Sequence, residues 1–186
     1  MTGTSLTNQF LIAMPALEDP NFFHSVTYIC QHDEEGAMGL VINRPLNMQL
    51  GEILQHIRIR DASDEARQLP VFLGGPVQTE RGFVLHSPLQ EWEATMKVTD
   101  SIGITSSLDI LHAIARGEGP DRKLITLGYA GWGAGQLEHE LANNAWLSAP
   151  ADPEVMFSLP VEQRWRAAAS RLGVDLDLLS GDTGHA

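Results

Sequence analysis

The chain has 186 residues, of which 43% are hydrophobic and 19% are charged, and these values are ordinary for one globular domain. Its 24 acidic residues outnumber its 12 basic ones, so the formal net charge is −12. Non-specific affinity for nucleic acid comes mainly from Lys and Arg that neutralise phosphates, so this charge argues against direct DNA or RNA binding. The densest group of arginines, between residues 58 and 67, is interleaved with acidic residues and forms no basic patch.

The cysteine count and the hydropathy pattern indicate the cellular compartment of the protein. Cys30 is the only cysteine, so no disulfide forms within the chain. Residues 1–9 carry no basic residue, unlike the first part of a signal peptide. The longest apolar runs, residues 10–17 and 37–42, are far shorter than the roughly 18 residues that span a bilayer. We therefore expect a cytoplasmic protein without a membrane-spanning segment.

The N-terminal part predicts strands joined by tight turns. Gln9–Met14 has the composition of a strand, and Ser25–His32 alternates between two faces with a period of two residues. Met38–Asn43 follows a short polar connection, which predicts a β-hairpin. Asn47 is then expected to cap a helix whose apolar residues recur at helical spacing: Leu50, Ile53, Leu54 and Ile57.

The central part predicts a loop, short strands and a helix. Arg58–Pro70 is charged and aperiodic, which favours an exposed loop with one helical turn. Ser106 and Asp109 resemble a capping box, and Gly117 stands where that helix should end. The strands predicted here are Val71–Leu73, Gly82–His86, Trp92–Thr99, Ile102–Thr105 and the buried Leu124–Tyr129.

The C-terminal part predicts helices. Gln136–Asn144 has helical spacing, Pro153 and Pro160 each suit the first turn of a helix, and Gly173 stands where the last helix should end. The polar stretch Ser180–Ala186 is expected to fray. Hairpin-like runs of strands with helices between some of them predict an α+β fold with a mixed, largely antiparallel sheet. We expect one domain over residues 1–179.

No metal or cofactor is predicted. His24 and His32 lie roughly 26 Å apart if they share one strand, because a strand rises about 3.3 Å per residue, and this is too far for one ion. Cys30 and His32 share a strand face, but no second pair completes a ligand set. The simpler interpretation is a buried thiol beside a histidine at the strand end.

A near match to the helical zinc motif His-Glu-x-x-His begins at His139. Its last position is Asn143, and an amide is a poor substitute for imidazole as a zinc ligand. We therefore interpret Glu138, His139 and Glu140 as a solvated helix face.

The glycine-rich stretch Gly128–Gly135 follows a predicted strand and precedes a predicted helix, which is where phosphate-binding loops occur. It fits neither of the common phosphate-loop motifs, since it lacks the lysine and the glycine spacing they need. Two interpretations stay open. One is a tight strand-to-helix turn that depends on glycine. The other is an anion or carboxylate site at the start of the helix, bounded by Trp132.

Several segments together resemble the AlgH/YqgE family of bacterial proteins. They occur in the family's order and span roughly residues 8–172: Ala13–Pro20, Gly36–Pro45, Gly74–Val77, Glu80–His86, Gly128–Glu138 and Asn144–Trp146. The resemblance implies a single α/β domain with a mixed, bifurcated, barrel-like sheet flanked by helices. The family is uncharacterised, although some members are labelled transcriptional regulators through a link to alginate production. It supplies no catalytic residues.

Three functions remain open at this point. The first is a regulatory or adaptor protein that acts through contacts with a protein or a small ligand. The second is an enzyme, a hydrolase or redox protein, that uses His86 or Cys30 in a cleft. The third, direct nucleic-acid binding, is disfavoured by the charge. For the first, the expected binding surface comprises Asn43, Arg44, Glu80, Arg81, His86, Tyr129, Trp132 and Gln136.

Overall fold

A computed structural model describes residues 5–182 of the chain. The strands are β1 (Gln9–Ala13), β2 (Val26–Asp33), β3 (Gly36–Val41), β4 (Pro45–Gln49), β5 (Pro70–Leu73), β6 (Val77–Ser87), β7 (Thr95–Lys97), β8 (Gly103–Thr105), β9 (Arg122–Gly133) and β10 (Trp146–Pro150). The helices are α1 (Leu50–His56), α2 (Asp64–Arg67), α3 (Leu108–Ala115), α4 (Gln136–Ala142), α5 (Arg164–Ser170) and α6 (Leu176–Asp182). A π-helical turn, Glu154–Ser158, and a 3₁₀ turn, Val161–Gln163, precede α5.

Eight of the strands form one curled path, in the order β10–β1–β2–β3–β9–β6–β8–β7, and every neighbouring pair is antiparallel. The strand β5 instead pairs in parallel with β9, and β4 pairs with β5. The sheet therefore branches at β9. This arrangement confirms the expected mixed, largely antiparallel, bifurcated α+β fold, whose sheet curls into a half-barrel flanked by helices.

The branch depends on glycine at one point of β9. Residues 125–127 pair with β5, whereas residues 130–133 pair with β3. Gly128 lies between these two stretches with a φ of +77°, and a Cβ atom there would collide with the carbonyl oxygen of Gly75. The predicted strand-to-helix turn is wrong for its first part, because β9 continues to Gly133 before the chain turns.

The central hairpin follows the sequence pattern. The predicted alternation is confirmed in β2, where Tyr28 and Cys30 pack into one core cluster and Ile29 packs into another. Both faces of β2 are therefore covered, although antiparallel sheets often leave one face open to water. The pairing between β2 and β3 shifts register between Ile29 and Gln31.

The helix α1 begins later than predicted. Its apolar spacing is confirmed, but Asn47 lies inside β4, and the residue that precedes the helix is Gln49. Gln49 and Glu52 form a capping box, since each side chain interacts with the other's backbone. The single helical turn expected between Arg58 and Pro70 is confirmed as α2.

The helix end predicted at Gly117 is confirmed, whereas α5 ends at Ser170, before the end predicted at Gly173. Three predicted helix starts also differ from the structure. Gly117 follows the end of α3 with a φ of +78°, but Ser107 rather than Ser106 precedes that helix. Pro153 precedes the π-helical turn and Pro160 precedes the 3₁₀ turn, so neither starts an α-helix directly. The strands β4 and β10 and the helix α6 were not expected. The tail was predicted over residues 180–186. Its residues up to Asp182 belong to α6, and residues 183–186 lie outside the described part.

Helices cover the sheet in three groups, one of which is α4, packed against β3, β9 and β10. One core cluster joins α1, α2 and α3 to strand residues that include Val84 and Ile125. Another joins α5 and the π-helical turn to strand residues that include Tyr28 and Phe83. Phe83 and Val84 are neighbours on β6, so their side chains point to opposite faces of the sheet. The faces that remain open beside these groups form the two concave surfaces described below.

Candidate functional site

A concave cleft of about 960 Å³ lies inside the curl of the sheet. Strands from both arms of the curl, β2 and β3 on one side and β6 to β9 on the other, contribute to its lining. Its floor is apolar and consists of Met38, Phe83, Met96, Ile104 and Tyr129. The Phe83 and Tyr129 rings meet edge to face, with 5.9 Å between their centroids, an arrangement that fixes both rings.

Arg81 is the one arginine or lysine in the lining of this cleft, beside the carboxylates of Asp33, Glu35 and Glu93. Its guanidinium carbon lies 5.1 Å from the centroid of the Phe83 ring, within cation–π range. Its only hydrogen bonds within the described chain are long, at 3.5 Å to Gln78 Oε1 and 3.4 Å to Ser106 Oγ. Among the side chains described, no carboxylate forms an ion pair with Arg81. The guanidinium therefore makes only weak polar contacts within the described part of the chain.

Three residues of the expected binding surface line this cleft together: Arg81, Tyr129 and Trp132. Tyr129 and Trp132 come from β9, and Arg81 comes from the adjacent β6. The other five residues lie elsewhere.

Asn43 and Arg44 hold a loop in place rather than lining the cleft. Asn43 Oδ1 accepts a hydrogen bond from the Val26 amide at 2.9 Å. The guanidinium of Arg44 donates to the carbonyl oxygens of Pro20, at 2.6 Å, and Phe23, at 2.8 Å. Burial lowers the pKa of Arg44, and the nearby carboxylate of Asp19 opposes that effect. The two residues fasten the connection between β1 and β2 to the end of β3.

Glu80 and Gln136 also lie outside the cleft. Glu80 is exposed and lines a second, smaller groove beneath α1 and α3. Gln136 Oε1 accepts a hydrogen bond from the Gly133 amide at 2.9 Å. That amide is therefore already bonded within the protein. The helix α4 has only seven residues. The interpretation of this turn as an anion site gains no support from the structure.

His86 is fully buried inside a hydrogen-bonded chain that links three strands. Its Nδ1 atom lies 3.1 Å from the carbonyl oxygen of Pro88, and its Nε2 atom lies 2.8 Å from the Thr105 hydroxyl. A carbonyl only accepts, so Nδ1 carries the proton and Nε2 accepts from Thr105. Thr105 in turn lies 2.7 Å from the hydroxyl of Thr95. Burial lowers the pKa of His86, opposed by the bond to Pro88, so the ring is held neutral.

Cys30 is buried as well, with 2% of its surface exposed. Burial raises the pKa of its thiol to about 12, which suppresses the reactive thiolate. Neither Cys30 nor His86 lines the cleft. Their burial gives no support to the alternative of an enzyme that uses one of them in a cleft.

One carboxylate on α4 accepts hydrogen bonds from two tryptophans that pack together in a separate core cluster. Glu140 Oε1 accepts hydrogen bonds from the indoles of Trp132, at 3.0 Å, and Trp146, at 2.9 Å. Its Oε2 atom accepts from Gln136 at 2.9 Å. The interpretation of Glu140 as part of a solvated helix face is wrong, because this side chain turns inward to satisfy two buried indoles.

His32 connects two segments of the chain. Its Nδ1 atom accepts a hydrogen bond from the Leu6 amide at 2.8 Å, and its Nε2 atom lies 3.0 Å from Glu138 Oε2. Among residues 5–182, no group of three His, Cys, Asp or Glu side chains has the geometry to hold a metal ion. In the same part of the chain, no helix is long and apolar enough to cross a membrane.

Most residues of the cleft floor are not recognisable as site residues in the sequence. Met38, Met96 and Ile104 were assigned only to strands, since nothing in their local sequence shows that distant strands meet there. One signal was present, because Arg81 directly precedes the predicted strand Gly82–His86. Arg81 and Phe83 share a face once the strand begins earlier, as it does in the structure. That spacing pairs a cation with an aromatic ring on a single surface.

These features define a mixed α/β protein whose curled half-barrel sheet encloses an open cleft. The AlgH-like family matches residues 10–177, and the chain belongs to that family. It is 62% identical to a UPF0301 protein of Thioalkalivibrio sulfidiphilus, over the whole of both chains. It is 60% identical to a UPF0301 protein of Nitrosococcus oceani, with 96% of each chain covered.

Two solved structures share the fold. The solution structure of AlgH from Pseudomonas aeruginosa is 50% identical to this chain and matches with a TM-score of 0.82, covering 97% of this chain and 95% of AlgH. A crystal structure of a Corynebacterium diphtheriae protein, 19% identical, matches with a TM-score of 0.73 over 96% of this chain and 93% of that one. The second likeness bears on the fold alone.

Proposed function

We propose that the chain is a regulatory or adaptor protein that binds a segment of a partner protein in the concave cleft. The observation that carries the proposal is the lining of the cleft, which combines an apolar, aromatic floor with one arginine and a rim of three carboxylates. Apolar concave surfaces with a few placed polar groups are typical of recognition sites.

The charge of the rim selects the kind of ligand. Asp33, Glu35 and Glu93 outnumber Arg81, so a highly charged anion such as a nucleotide or a nucleic acid is repelled as a whole. A polypeptide segment fits this mixture better, since it brings carboxylates for Arg81 and amides or basic groups for the rim. The openness of the cleft between the two arms of the sheet suits an extended segment.

Binding without catalysis agrees with the burial of the two candidate reactive groups. His86 bonds to Thr105 inside the sheet, and Cys30 is held as a neutral thiol. A regulatory effect on transcription would then pass through a protein partner, because the charge of −12 opposes direct contact with DNA. We propose the cytoplasm as the compartment in which this partner is met.

A random peptide library displayed on phage tests the proposal against the immobilised protein. We expect enriched peptides that carry an acidic residue close to an aromatic or aliphatic one. Arg81→Glu should weaken their binding by about tenfold or more, because it replaces a charge-assisted hydrogen bond with repulsion. Arg58→Glu is the matched control, since Arg58 is exposed and lies outside the cleft.

Two results would contradict the proposal. One is that no peptide is enriched relative to selection on the Arg81→Glu variant. The other is native mass spectrometry that shows a co-purified small molecule bound in one-to-one ratio and lost in Arg81→Glu. The second result would assign the cleft to a small ligand instead of a protein segment.

A further inference from the structure

A second concave surface lies on the other side of the sheet, between α1 and α3, and we name it the α1–α3 groove. Its volume is about 490 Å³. The helix α2 contacts both α1 and α3, whereas the space between those two helices stays open above the strands. Val84 lines the groove and not the cleft, and it packs with these helices. The side chain of Phe83 packs in the core cluster on the other face of β6, and Phe83 borders both concave surfaces.

The lining of the groove is mostly apolar and is not fully buried. Its partly or largely exposed apolar side chains are Met48, Ile53, Ile57, Leu108, Leu111 and Leu127. Leu108 leaves 54% of its surface exposed at the start of α3, next to the opening. Apolar patches with a polar rim mark interaction sites on proteins of this size.

The charges at the edge of the groove have one sign. The lining includes the carboxylates of Glu52 and Glu80 and, among residues 5–182, no lysine or arginine. His56 adds an imidazole on α1. A fatty acid or a phosphorylated lipid would bring its anionic group toward these carboxylates, which is unfavourable. A partner with basic groups beside its apolar surface is complementary to this groove.

We propose that the α1–α3 groove binds an amphipathic helix of a partner protein. Leucine-like side chains of that helix would lie in the groove, and a lysine or arginine would face Glu80. This is helix-in-groove recognition, which relies on apolar anchors at helical spacing. The proposal goes beyond binding in the cleft: two recognition surfaces on opposite faces of one sheet let the chain join two partners.

Fluorescence anisotropy with a labelled helical peptide of leucines and lysines tests this groove directly. We expect saturable binding to the wild-type protein, and weaker binding of a matched peptide in which serines replace the leucines. Glu80→Lys should weaken binding of the leucine–lysine peptide about tenfold and should strengthen binding of a leucine–glutamate peptide. Leu108→Ala should also weaken binding about tenfold, because it removes the exposed anchor of the groove.

Matched controls separate the groove from the general acidity of the surface. Glu162→Lys makes the same charge change at an exposed residue outside the groove, and Leu178→Ala removes a leucine that is 70% exposed on α6. Neither should change the affinity by more than about twofold. Arg81→Glu should leave the affinity unchanged, so that failure of the cleft proposal and failure of this one are distinguishable.

Three results would overturn the proposal. The first is that Glu162→Lys weakens binding as much as Glu80→Lys does, which would show unspecific attraction to an acidic protein. The second is equal affinity for the leucine–lysine and serine-substituted peptides. The third is dimerisation in sedimentation velocity that Leu108→Ala abolishes, which would assign the groove to a second copy of the chain. If Leu108→Ala fails to fold, the anisotropy measurement with Glu80→Lys still tests the proposal, because Glu80 is exposed.

Discussion

The indole Nε1 of Trp132 donates a hydrogen bond to the Glu140 carboxylate, at 3.0 Å, across the junction of β9 and α4. The same oxygen accepts a second indole, that of Trp146, at 2.9 Å. Both tryptophans are buried, with 6% and 4% of their surfaces exposed. One carboxylate therefore satisfies two buried donors and holds α4 against the sheet.

Glu140→Ala should lower the free energy of unfolding by about 3 kcal/mol, because it leaves two buried indole donors without an acceptor. Glu140→Gln should cost less, since it keeps one carbonyl oxygen in place. Urea denaturation followed by tryptophan fluorescence measures both changes. His139→Ala, a change at the neighbouring exposed residue, should stay within about 0.5 kcal/mol of the wild type. Equal stability of Glu140→Ala and wild type would show that the pairing contributes nothing.

Gly128→Ala should destabilise the protein by about 3 kcal/mol or more. The new Cβ would be strained at a φ of +77° and would also meet the carbonyl oxygen of Gly75 at the branch of the sheet. Gly117→Ala is the matched control, because Gly117 has a similar φ of +78° but nothing within 4 Å of its would-be Cβ. It should cost only about 1 kcal/mol. Chemical denaturation of both variants checks the difference, and equal losses would contradict the close approach.

The buried imidazole of His86 should make stability depend on pH. Its folded pKa is lowered from 6.5 by burial, so below that pH the unfolded chain binds a proton that the native protein resists. The stabilising contribution is therefore complete above about pH 6.5 and declines as the pH falls. His86→Gln keeps an acceptor for Thr105 and removes the titrating group.

The measurement is the unfolding free energy of wild type and His86→Gln at about pH 7.5 and about pH 5.5. Wild type should lose more stability than the variant over this range, and the variant should be the less stable of the two at the higher pH. Parallel pH profiles would show that His86 titrates alike in the folded and unfolded states.

Cys30 should resist alkylation in the native protein. Its pKa of about 12 and its burial leave almost no accessible thiolate at neutral pH. Iodoacetamide should modify the unfolded chain in urea rapidly and the native chain only at the rate of unfolding. Mass spectrometry over time measures both rates. Rapid, complete modification of the native protein would revive Cys30 as a reactive group.

Local sequence patterns were sufficient to predict the strands and helices whose apolar residues recur at a regular spacing. Apolar residues alternate in β2 and recur at helical spacing in Leu50, Ile53 and Leu54. Residues at these spacings lie on one face of a strand or helix, and that face is buried. The start of α1 could not be derived this way. Asn47 is a good capping residue, but pairing of β4 with β5 places it in a strand.

The candidate site was harder to predict because its parts meet only through tertiary contacts. Arg81 and Tyr129 were expected to lie together, and they do line one cleft. His86 looked equally available in the sequence, yet Thr105 and Pro88 close around it. Glu140 looked solvated because its neighbours on α4 are polar, whereas its indole partners come from β9 and β10.

Photo-crosslinking in living cells tests binding in the cleft most directly. A photoreactive amino acid at Met96, on the cleft floor, should capture one protein in a discrete adduct, and Arg81→Glu should abolish that adduct while Arg58→Glu leaves it intact. The same photoreactive residue at Leu178, which is exposed and does not line the cleft, should not capture it. Capture of the same proteins from both positions, or an adduct that survives Arg81→Glu, would contradict a binding site in the cleft.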